Sequence, residues 1–497
     1  MNLAAAFTAQ AELNPGKIAI YWGDDTFSYE WIRSQSVRLA AELRQLGVRP
    51  GDHVGLWLRN CPEFVPSLFG IFMAGGVAVP INNFLKADEV AFIIQDAGIN
   101  VLVTDTTMAA AVAQLAATPP PLKVWNVENF AAAPVARADC PLSCSQRTEA
   151  DLAVLFYTSG TTGKPKGAML THGNLLHNVA SCHQILESQS ADRFVLLLPM
   201  FHSFMLTVCV LLPMVIGSSI VLIRSVHPAK NIILEVCRHG ATILPAVPAF
   251  FRVLAQVDRP VKLPLRLCIS GGAALPGEIL REFTAKLPYP LLEGYGLSET
   301  SPVAAFTPIR GPWKEGSIGL PIPNVELSVQ DDTGNILGAG QTGEICIRGG
   351  NVMAGYWNQP QATAEVMRGQ WFLTGDIGHR DTDGYFYITD RKKDMLIVNG
   401  INVYPRQVEE LIYQYPGIRE AAVIGVPDAR RGEVPLACVS LNEGTELDEK
   451  ELLHFLREKV ADYKVPRRIV VLPKLPRNVT GKILKTELRQ MVAQGKF

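Results

Sequence analysis

The chain reads Tyr157-Thr-Ser-Gly-Thr-Thr-Gly-Lys-Pro-Lys-Gly167 at the end of a short apolar run that predicts a strand over residues 152–157. Glycines let a backbone approach a polyphosphate closely, hydroxyls bond its oxygens, and lysines neutralise its charge. Gly160 and Gly163 are too close together for the GxxxxGK[ST] loop. The stretch therefore predicts a phosphate-binding loop of another kind. Its candidate ligands are Thr158, Ser159, Gly160, Thr161, Thr162, Gly163, Lys164 and Lys166.

Strands and helices alternate in the N-terminal part of the chain. Residues 53–58, 77–80 and 99–104 predict strands, and residues 62–74 and 87–96 predict helices. This alternation is typical of parallel sheets covered by helices. After about Pro302, short strands such as 325–330 and 344–348 are separated by Gly, Asp and Thr, which predicts a more β-rich, antiparallel subdomain.

The charged run Asp390-Arg-Lys-Lys-Asp394 precedes a segment of different charge. Residues 391–497 carry a net charge of +5 and the remainder −6, which supports a separate basic domain. Within it, 421–426 and 436–441 predict strands and 448–460 a helix. We therefore expect an N-terminal domain over residues 1–390 and a C-terminal domain over residues 391–497.

Composition excludes several classes of protein. The formal net charge of −1 and the pI of about 6.8 do not indicate a nucleic-acid partner. Nine scattered cysteines do not suggest a disulfide framework. Residues 203–223 are uncharged, but Pro213 and Gly217 interrupt them, so we predict a buried helix over 204–216 and a strand over 219–223. With no apparent secretory leader, we expect a cytoplasmic protein without a transmembrane segment.

Six further motifs follow the phosphate loop in the order found in one known family. They are Ser270-Gly-Gly-Ala-Ala-Leu275, Glu293-Gly-Tyr-Gly-Leu-Ser-Glu-Thr300, Gly343-Glu-Ile-Cys-Ile-Arg-Gly349, Trp371-Phe-Leu-Thr-Gly-Asp-Ile-Gly378, Asp390-Arg-Lys-Lys-Asp-Met-Leu-Ile-Val-Asn-Gly400 and Pro476-Arg-Asn-Val-Thr-Gly-Lys482. With them, nearly the whole chain resembles the adenylate-forming (AMP-binding) superfamily, which includes acyl-CoA synthetases, aryl-CoA ligases, beetle luciferases and peptide-synthetase adenylation domains. The resemblance implies an α/β fold: a large N-terminal domain of parallel α/β subdomains plus a β-rich subdomain, and a small, mobile α+β C-terminal domain.

The resemblance also implies a nucleotide site. Small residues near predicted strand ends permit a flat base to lie against the backbone, and Tyr295 would stack on it. The other residues implied near the base are Gly272, Ala273, Ala274, Glu293, Gly294 and Gly296. By the same resemblance Ser298 serves the α-phosphate, Glu299 the Mg²⁺ ion, and Asp376 with Arg391 the ribose.

Two half-reactions are implied: a carboxylic acid attacks ATP to form an acyl-AMP, and coenzyme A then attacks the acyl carbonyl. His202 would lie between the acid and phosphate sites, and Lys482 would neutralise charge during adenylation. Lys393 matches the position of the domain hinge. Gly400 would then leave space for the pantetheine arm. The expected catalytic residues are thus Lys482, Glu299 and His202.

The acid itself is predicted from the segments expected to line its pocket, 202–206, 245–251, 270–275 and 296–303, which are mostly small or apolar. They favour a medium- or long-chain fatty acid, with an aryl acid such as a cinnamate or benzoate as the alternative. An acyl-carrier-protein ligase and a non-catalytic acid or nucleotide sensor are the other hypotheses. Peripheral membrane contact and a homodimer are compatible with this reading.

Overall fold

The computed structural model describes residues 1–115, 122–130, 147–158, 165–257, 262–399, 401–428, 430–478 and 481–496. The strands are β1 (Ile18–Trp22), β2 (Asp25–Ser28), β3 (His53–Trp57), β4 (Val77–Pro80), β5 (Val101–Thr104), β6 (Lys123–Asn126), β7 (Leu152–Thr158), β8 (Lys166–Thr171), β9 (Arg193–Leu196), β10 (Ser219–Leu222), β11 (Ile243–Ala246), β12 (Leu267–Ser270), β13 (Leu291–Gly296), β14 (Val303–Phe306), β15 (Ser317–Pro321), β16 (Val325–Gln330), β17 (Gly343–Gly349), β18 (Gly355–Tyr356), β19 (Met367–Arg368), β20 (Trp371–Arg380), β21 (Phe386–Arg391), β22 (Leu396–Val398), β23 (Ile401–Val403), β24 (Ile418–Asp428), β25 (Gly432–Leu441) and β26 (Arg468–Val471).

The helices are α1 (Leu3–Leu13), α2 (Tyr29–Gln45), α3 (Phe64–Ala74), α4 (Ala87–Ala97), α5 (Ala109–Leu115), α6 (His172–Ile185), α7 (Ser203–Met205), α8 (Leu212–Ile216), α9 (Lys230–Arg238), α10 (Pro248–Ala255), α11 (Gly277–Lys286), α12 (Pro360–Glu365), α13 (Pro405–Tyr413), α14 (Glu449–Lys459) and α15 (Lys485–Ala493). A π-helical stretch, Leu206–Leu211, joins α7 to α8, and Ser298–Thr300 forms a single 3₁₀ turn.

These strands form three sheets. One has fourteen strands, in the order β16-β17-β20-β21-β15-β14-β13-β12-β11-β9-β10-β1-β2, with β19 beside β20. The second has seven, in the order β18-β8-β7-β4-β3-β5-β6, and the third has five, β23-β22-β25-β24 with β26 beside β25. Strands β3, β4 and β5 are buried along their whole length, as their mostly apolar sequences predict.

Strand β13 is the junction inside the largest sheet. It pairs in parallel with β12 and antiparallel with β14, so the parallel half of the sheet continues directly into the antiparallel half. Open α/β sheets bind ligands beyond the carboxyl ends of their strands, where the strand order reverses. The change of pattern that the sequence shows after Pro302 thus coincides with the part of the sheet where a site is expected.

The uncharged stretch 203–223 is internal, as predicted. Residues Ser203–Ile216 are helical and β10 lies in the parallel part of the largest sheet. At 1.5 Å per residue this helical segment is about 21 Å long, shorter than the roughly 30 Å hydrocarbon core of a bilayer. In the described ranges, no helix combines the length and apolarity that a membrane span requires.

The third sheet, with α13, α14 and α15, forms a small α+β unit with its own apolar clusters. Strand β21 of the largest sheet ends at Arg391, which pairs with Asp376, and β22 of the small sheet begins at Leu396. The division predicted between 390 and 391 falls at the end of β21, and as a domain boundary it stays a prediction.

Candidate active site

A cavity of about 1000 Å³ opens at the carboxyl end of β13. Its walls come from both large sheets, from the helical segment that begins at Ser203, and from the C-terminal unit through Asn478, Lys482 and Leu484. Eleven residues that the sequence predicted for the site lie on this wall: Thr158, Lys166, His202, Gly272, Gly294, Tyr295, Gly296, Ser298, Glu299, Arg391 and Lys482. Residues far apart in the chain are thus brought to one place.

The phosphate loop is described only at its two ends. Thr158 pairs with Lys166 as the last pair of the antiparallel strands β7 and β8. The predicted ligands Ser159, Gly160, Thr161, Thr162, Gly163 and Lys164 lie outside the described residues, as does Gly400. Since a strand follows the loop, the backbone amides of a helix N-terminus do not follow it directly, unlike in the GxxxxGK[ST] arrangement.

Ala273, Ala274, Glu293 and Asp376 are not among the residues that line this cavity, and their roles at the nucleotide stay predictions. Glu293 is buried, and its Oε1 accepts a hydrogen bond from the amide of Leu275 at 3.1 Å. Burial raises the pKa of this carboxyl to about 7. Its side chain therefore holds the loop that follows β12, and Gly271 and Gly272 of that loop lie on the cavity wall.

Tyr295, Asp376 and Arg391 form a hydrogen-bonded group beside the cavity. The Tyr295 hydroxyl donates to Oδ2 of Asp376 at 2.6 Å, and Nε of Arg391 lies 3.2 Å from Oδ1. Burial and the Asp376 charge raise the pKa of Tyr295, so its hydroxyl remains a donor. Asp376 itself is only 3% exposed, and the group fixes the Tyr295 ring as part of the cavity wall.

Glu299 is the carboxylate that best fits a magnesium site. Its Oε1 accepts the hydroxyl of Tyr356 at 2.8 Å, and the amide of Met353 donates to its backbone carbonyl at 2.8 Å. The described ranges contain no cluster of three His, Cys, Asp or Glu side chains. Mg²⁺ commonly takes one or two carboxylates and completes its shell with water and substrate phosphates, so a single oriented carboxylate on a phosphate cavity fits that ion.

His202 occupies the N-terminal cap of the helical segment that begins at Ser203. Its Nδ1 accepts from the amide of Phe204 at 3.3 Å, which leaves the ring proton on Nε2. Burial, and then the charge of Lys482, lower the pKa of His202 to about 4. Beside it, the hydroxyls of Ser203 and Ser298 lie 3.0 Å apart. His202 is therefore a neutral donor near neutral pH.

One part of the wall carries only uncharged side chains, which come from α6 and the residue after it, α7, the π-helical stretch, β12, β14 and the turn before β14. They are Cys182, Ile185, Leu186, Phe204, Val208, Ile269, Pro302, Val303 and Phe306. Sequence reasoning missed the α6 contribution, for which helical periodicity is the only local signal. It also placed 245–251 on this wall, whereas Phe251 packs in a separate apolar cluster and Val247 faces the loop of Lys482.

Lys482 reaches the cavity on a short, braced loop of the C-terminal unit. Its amide donates to Oδ1 of Asn478 and its carbonyl accepts from the amide of Asn478, both at 2.9 Å. Gly481, at φ +83°, has the left-handed backbone that favours glycine. Burial, and then the charge of Arg391, lower the pKa of Lys482 to about 7. Anionic substrates bound beside Lys482 would raise this pKa and so favour its ammonium form.

Tyr356 is a site residue that the sequence analysis did not single out. Besides its bond to Glu299, its ring lies 5.2 Å from Nζ of Lys166, at the end of the phosphate loop. Its strand, β18, pairs with β8, opposite Ala168. The local signal was the Gly355-Tyr-Trp357 sequence, but only the pairing of β18 with β8 connects it to the loop.

Two family models match this chain. The model of AMP-binding enzymes matches residues 7–357, and the model of the AMP-binding enzyme C-terminal domain matches residues 407–482. Among curated proteins, the long-chain-fatty-acid–CoA ligase of Bacillus subtilis (strain 168) is 34% identical over 98% of this chain and 94% of its own length. The feruloyl-CoA synthase of an Amycolatopsis species is 37% identical over 97% of each chain.

Solved structures agree with this match. The ATP-bound structure of MatB from Rhodopseudomonas palustris superposes with a TM-score of 0.91 at 34% identity, covering 99% of each chain. The apo structure of the same protein gives a TM-score of 0.78 at 33% identity, covering 100% of each chain. The present arrangement of the chain is therefore more similar to the ATP-bound form than to the apo form.

Proposed function

Because this chain belongs to the AMP-binding enzyme family and is an ATP-dependent, AMP-forming acyl-CoA ligase, we propose that its acid substrate is a medium- or long-chain fatty acid. The observation that carries this proposal is the uncharged part of the wall, formed mainly by α6, α7, the π-helical stretch, β12 and β14. Such a wall stabilises an apolar tail by about 0.8 kcal/mol per buried methylene. This part of the wall carries no cationic side chain that could pair with the second carboxylate of a dicarboxylic acid.

The proposed first half-reaction depends mainly on positioning and charge. The Nε2–H of His202 orients the acid carboxylate, and Ser298 donates to the α-phosphate that this carboxylate attacks in line. The ammonium of Lys482 neutralises the charge that moves onto the phosphate oxygens. When Glu299 holds Mg²⁺, the ion supplies charge neutralisation for the leaving pyrophosphate. Tyr295 and Gly294 form the wall for adenine, with Asp376 and Arg391 at the ribose.

In the proposed second half-reaction, the thiol of CoA attacks the acyl carbonyl and AMP leaves. No nucleophile from the protein is required. We place the present domain arrangement in the adenylation state, because Lys482 lies on the cavity wall while Ile397 and Ile401, on either side of the hairpin turn, are about half exposed. A cytoplasmic location belongs to the same proposal, and the seven cysteines among the described residues are all free thiols.

The alternative acid is an aryl acid, which the similarity to the feruloyl-CoA synthase favours. Phe204 and Phe306 on the apolar wall suit a ring as well as a chain. The dependence of kcat/KM on alkyl chain length distinguishes a fatty-acid pocket from an aryl-acid pocket. In a fatty-acid pocket, each two further buried methylenes contribute about 1.6 kcal/mol, roughly a tenfold gain in kcat/KM, until the pocket is filled. A rigid aryl pocket gives no such progression.

The experiment measures pyrophosphate release with straight-chain acids from acetate to stearate and with benzoate and cinnamate, each with and without CoA. The expected result is kcat/KM rising with chain length to an optimum at a medium or long chain. A preference for acetate or for an aromatic acid over every longer chain would refute the fatty-acid proposal and leave the ligase assignment intact. Replacing CoA with a phosphopantetheinyl carrier protein tests the other thiol acceptor.

A further inference from the structure

Arg252 connects the two units of the chain. It lies in α10 of the large unit, and its side chain is only 13% exposed. Its guanidinium donates to the backbone carbonyl of Arg419 in β24 and lies 5.7 Å from the centre of the Tyr413 ring in α13. Glu278, on its own unit, is 3.6 Å away and balances its charge. A mostly buried guanidinium that donates from one unit to the other indicates a specific docking contact.

A second contact lies beside it. Glu410 in α13 faces the amide of Gly277, the first residue of α11 in the large unit: burial raises the pKa of the Glu410 carboxyl, and this amide opposes the rise. A carboxylate at the N-terminus of a helix is stabilised by the free amides and by the helix dipole. Arg252 and Glu410 therefore dock the same surface, α13 with β24, onto α10 and α11.

The docked surface leads directly to Lys482 through polar contacts. Glu420, the residue after Arg419, binds Arg477 with its Oε1 at 2.7 and 2.9 Å from Nη2 and Nε. Arg477 in turn donates to the carbonyl of Gly481, next to Lys482. The position of β24 therefore influences the position of Gly481 and Lys482, which we call the lysine loop.

The same loop also touches the large unit near α10. A Cβ built on Gly481 would lie 3.5 Å from Cγ2 of Val247, the residue before α10 begins. Helix α10 and the residue before it therefore meet the C-terminal unit twice. Arg252 contacts β24, and Val247 contacts the loop that carries Lys482.

We propose that Arg252 is a positioning residue for Lys482, which docks the C-terminal unit in the orientation that serves adenylation. The inference rests on the proposed role of Lys482 in the first half-reaction. If the contact with Arg419 is broken, the docked orientation becomes less populated and adenylation slows. Thioester formation from a finished acyl-AMP uses the other orientation, so it does not need this contact.

The experiment compares Arg252→Ala with the unmodified chain in both half-reactions, using the acid most active in pyrophosphate release. ATP–pyrophosphate exchange reports the first half, and thioester formation from supplied acyl-AMP and CoA reports the second. The expected result is a loss of about tenfold in exchange, with thioester formation within twofold of the unmodified chain. Arg252→Lys should lose less, because lysine keeps the charge but not the planar fork.

Glu410→Ala is a second test of the same docking surface and carries the test if Arg252→Ala does not fold. Arg310→Ala is the matched control, since Arg310 forms an exposed ion pair with Glu187 inside the large unit. A parallel loss in both half-reactions, or no loss in either, would overturn the proposal. Lys482→Ala is measured alongside: if it impairs both halves equally, the role of Lys482 fails; if it alone is selective, only the docking role of Arg252 fails.

Discussion

Lys482 and His202 lie close enough for the charge of one to affect the protonation of the other. Burial and Arg391 lower the pKa of Lys482 to about 7, and burial and Lys482 lower that of His202 to about 4. Both directions follow because a buried cation loses hydration and is repelled by the cations beside it. An ATP polyphosphate and a carboxylate bring the opposite charge, so they favour the ammonium form of Lys482.

We expect kcat/KM of the adenylation half-reaction to fall as pH rises through about 7. The sign follows from a lowered lysine pKa: the catalytic ammonium is present below that pH and lost above it. The decline in kcat should come at higher pH, because bound ATP raises the pKa of Lys482. ATP–pyrophosphate exchange measured from pH 6 to 9 provides the test.

Lys482→Arg is the control for this profile, since a guanidinium keeps its charge above pH 12. Its remaining exchange activity should show no decline near pH 7. If the arginine variant retains the same decline, another group is responsible for it.

Glu299→Gln tests the proposed magnesium ligand. The amide keeps the acceptor oxygen that Tyr356 binds but removes the negative charge that attracts Mg²⁺. We expect the Mg²⁺ concentration for half-maximal exchange to rise about tenfold, with weaker Mg-ATP binding by calorimetry. Glu365→Gln is the matched control, because Glu365 also lies on the cavity wall. An equal shift in both variants would remove Glu299 from the metal site.

At the scale of elements, the bend at the end of β13 lies on the cavity wall, between the sites proposed for the nucleotide and the acid. The register of β13 and β14 shifts between Tyr295 and Gly296, and the amide of Leu297 donates to the carbonyl of Pro302 at 3.1 Å. This closes a tight turn over Ser298 and Glu299. A Cβ on Gly296 would lie 1.8 Å from the Pro302 carbonyl oxygen, so the close approach requires glycine.

Gly296→Ala should therefore damage both the fold and the site. The methyl group must displace backbone, which costs on the order of 1–3 kcal/mol of stability, and it moves Ser298 and Glu299 with it. We expect a lower Tm and at least a tenfold loss of acid-dependent pyrophosphate release.

Gly16→Ala is the comparison for this change, since a Cβ at Gly16 meets no atom within 4 Å. If Gly296→Ala and Gly16→Ala behave alike in both measurements, the bend is not the constraint described.

At the scale of the whole molecule, the proposed mechanism uses two orientations of the C-terminal unit, one for each half-reaction. The connection between the units is a short turn after β21, in which the amides of Lys392, Asp394 and Met395 donate backbone hydrogen bonds. A proline at 393 removes none of these bonds but fixes φ at that residue. It also restricts Lys392 before it, so we expect it to limit movement of the turn.

We expect Lys393→Pro to retain ATP–pyrophosphate exchange while overall acyl-CoA formation slows several-fold. Lys393→Ala separates the backbone effect from the side chain, which lies on the cavity wall. Normal turnover in the proline variant would mean that the hinge lies elsewhere, and loss in both half-reactions would mean that the turn itself is disturbed.

Much of the fold could be predicted from local pattern. The strands expected at 77–80 and 325–330 have those bounds in the structure, and the helix expected at 62–74 begins two residues later, at Phe64. Apolar runs and glycine turns are local signals, because backbone geometry limits which residues suit each element. Motif order likewise predicted that Tyr295, Glu299 and Lys482 share a site.

Tertiary structure alone decided the partners of these residues. Nothing local in the sequence pairs Glu293 with the amide of Leu275, Tyr295 with Asp376, or Arg252 with the carbonyl of Arg419. It also set the low pKa of Lys482 and brought α6 to the apolar wall. The physical reason is that burial, charge and hydrogen bonding at these positions depend on groups distant in the chain, whose proximity exists only after the sheets and both units have packed.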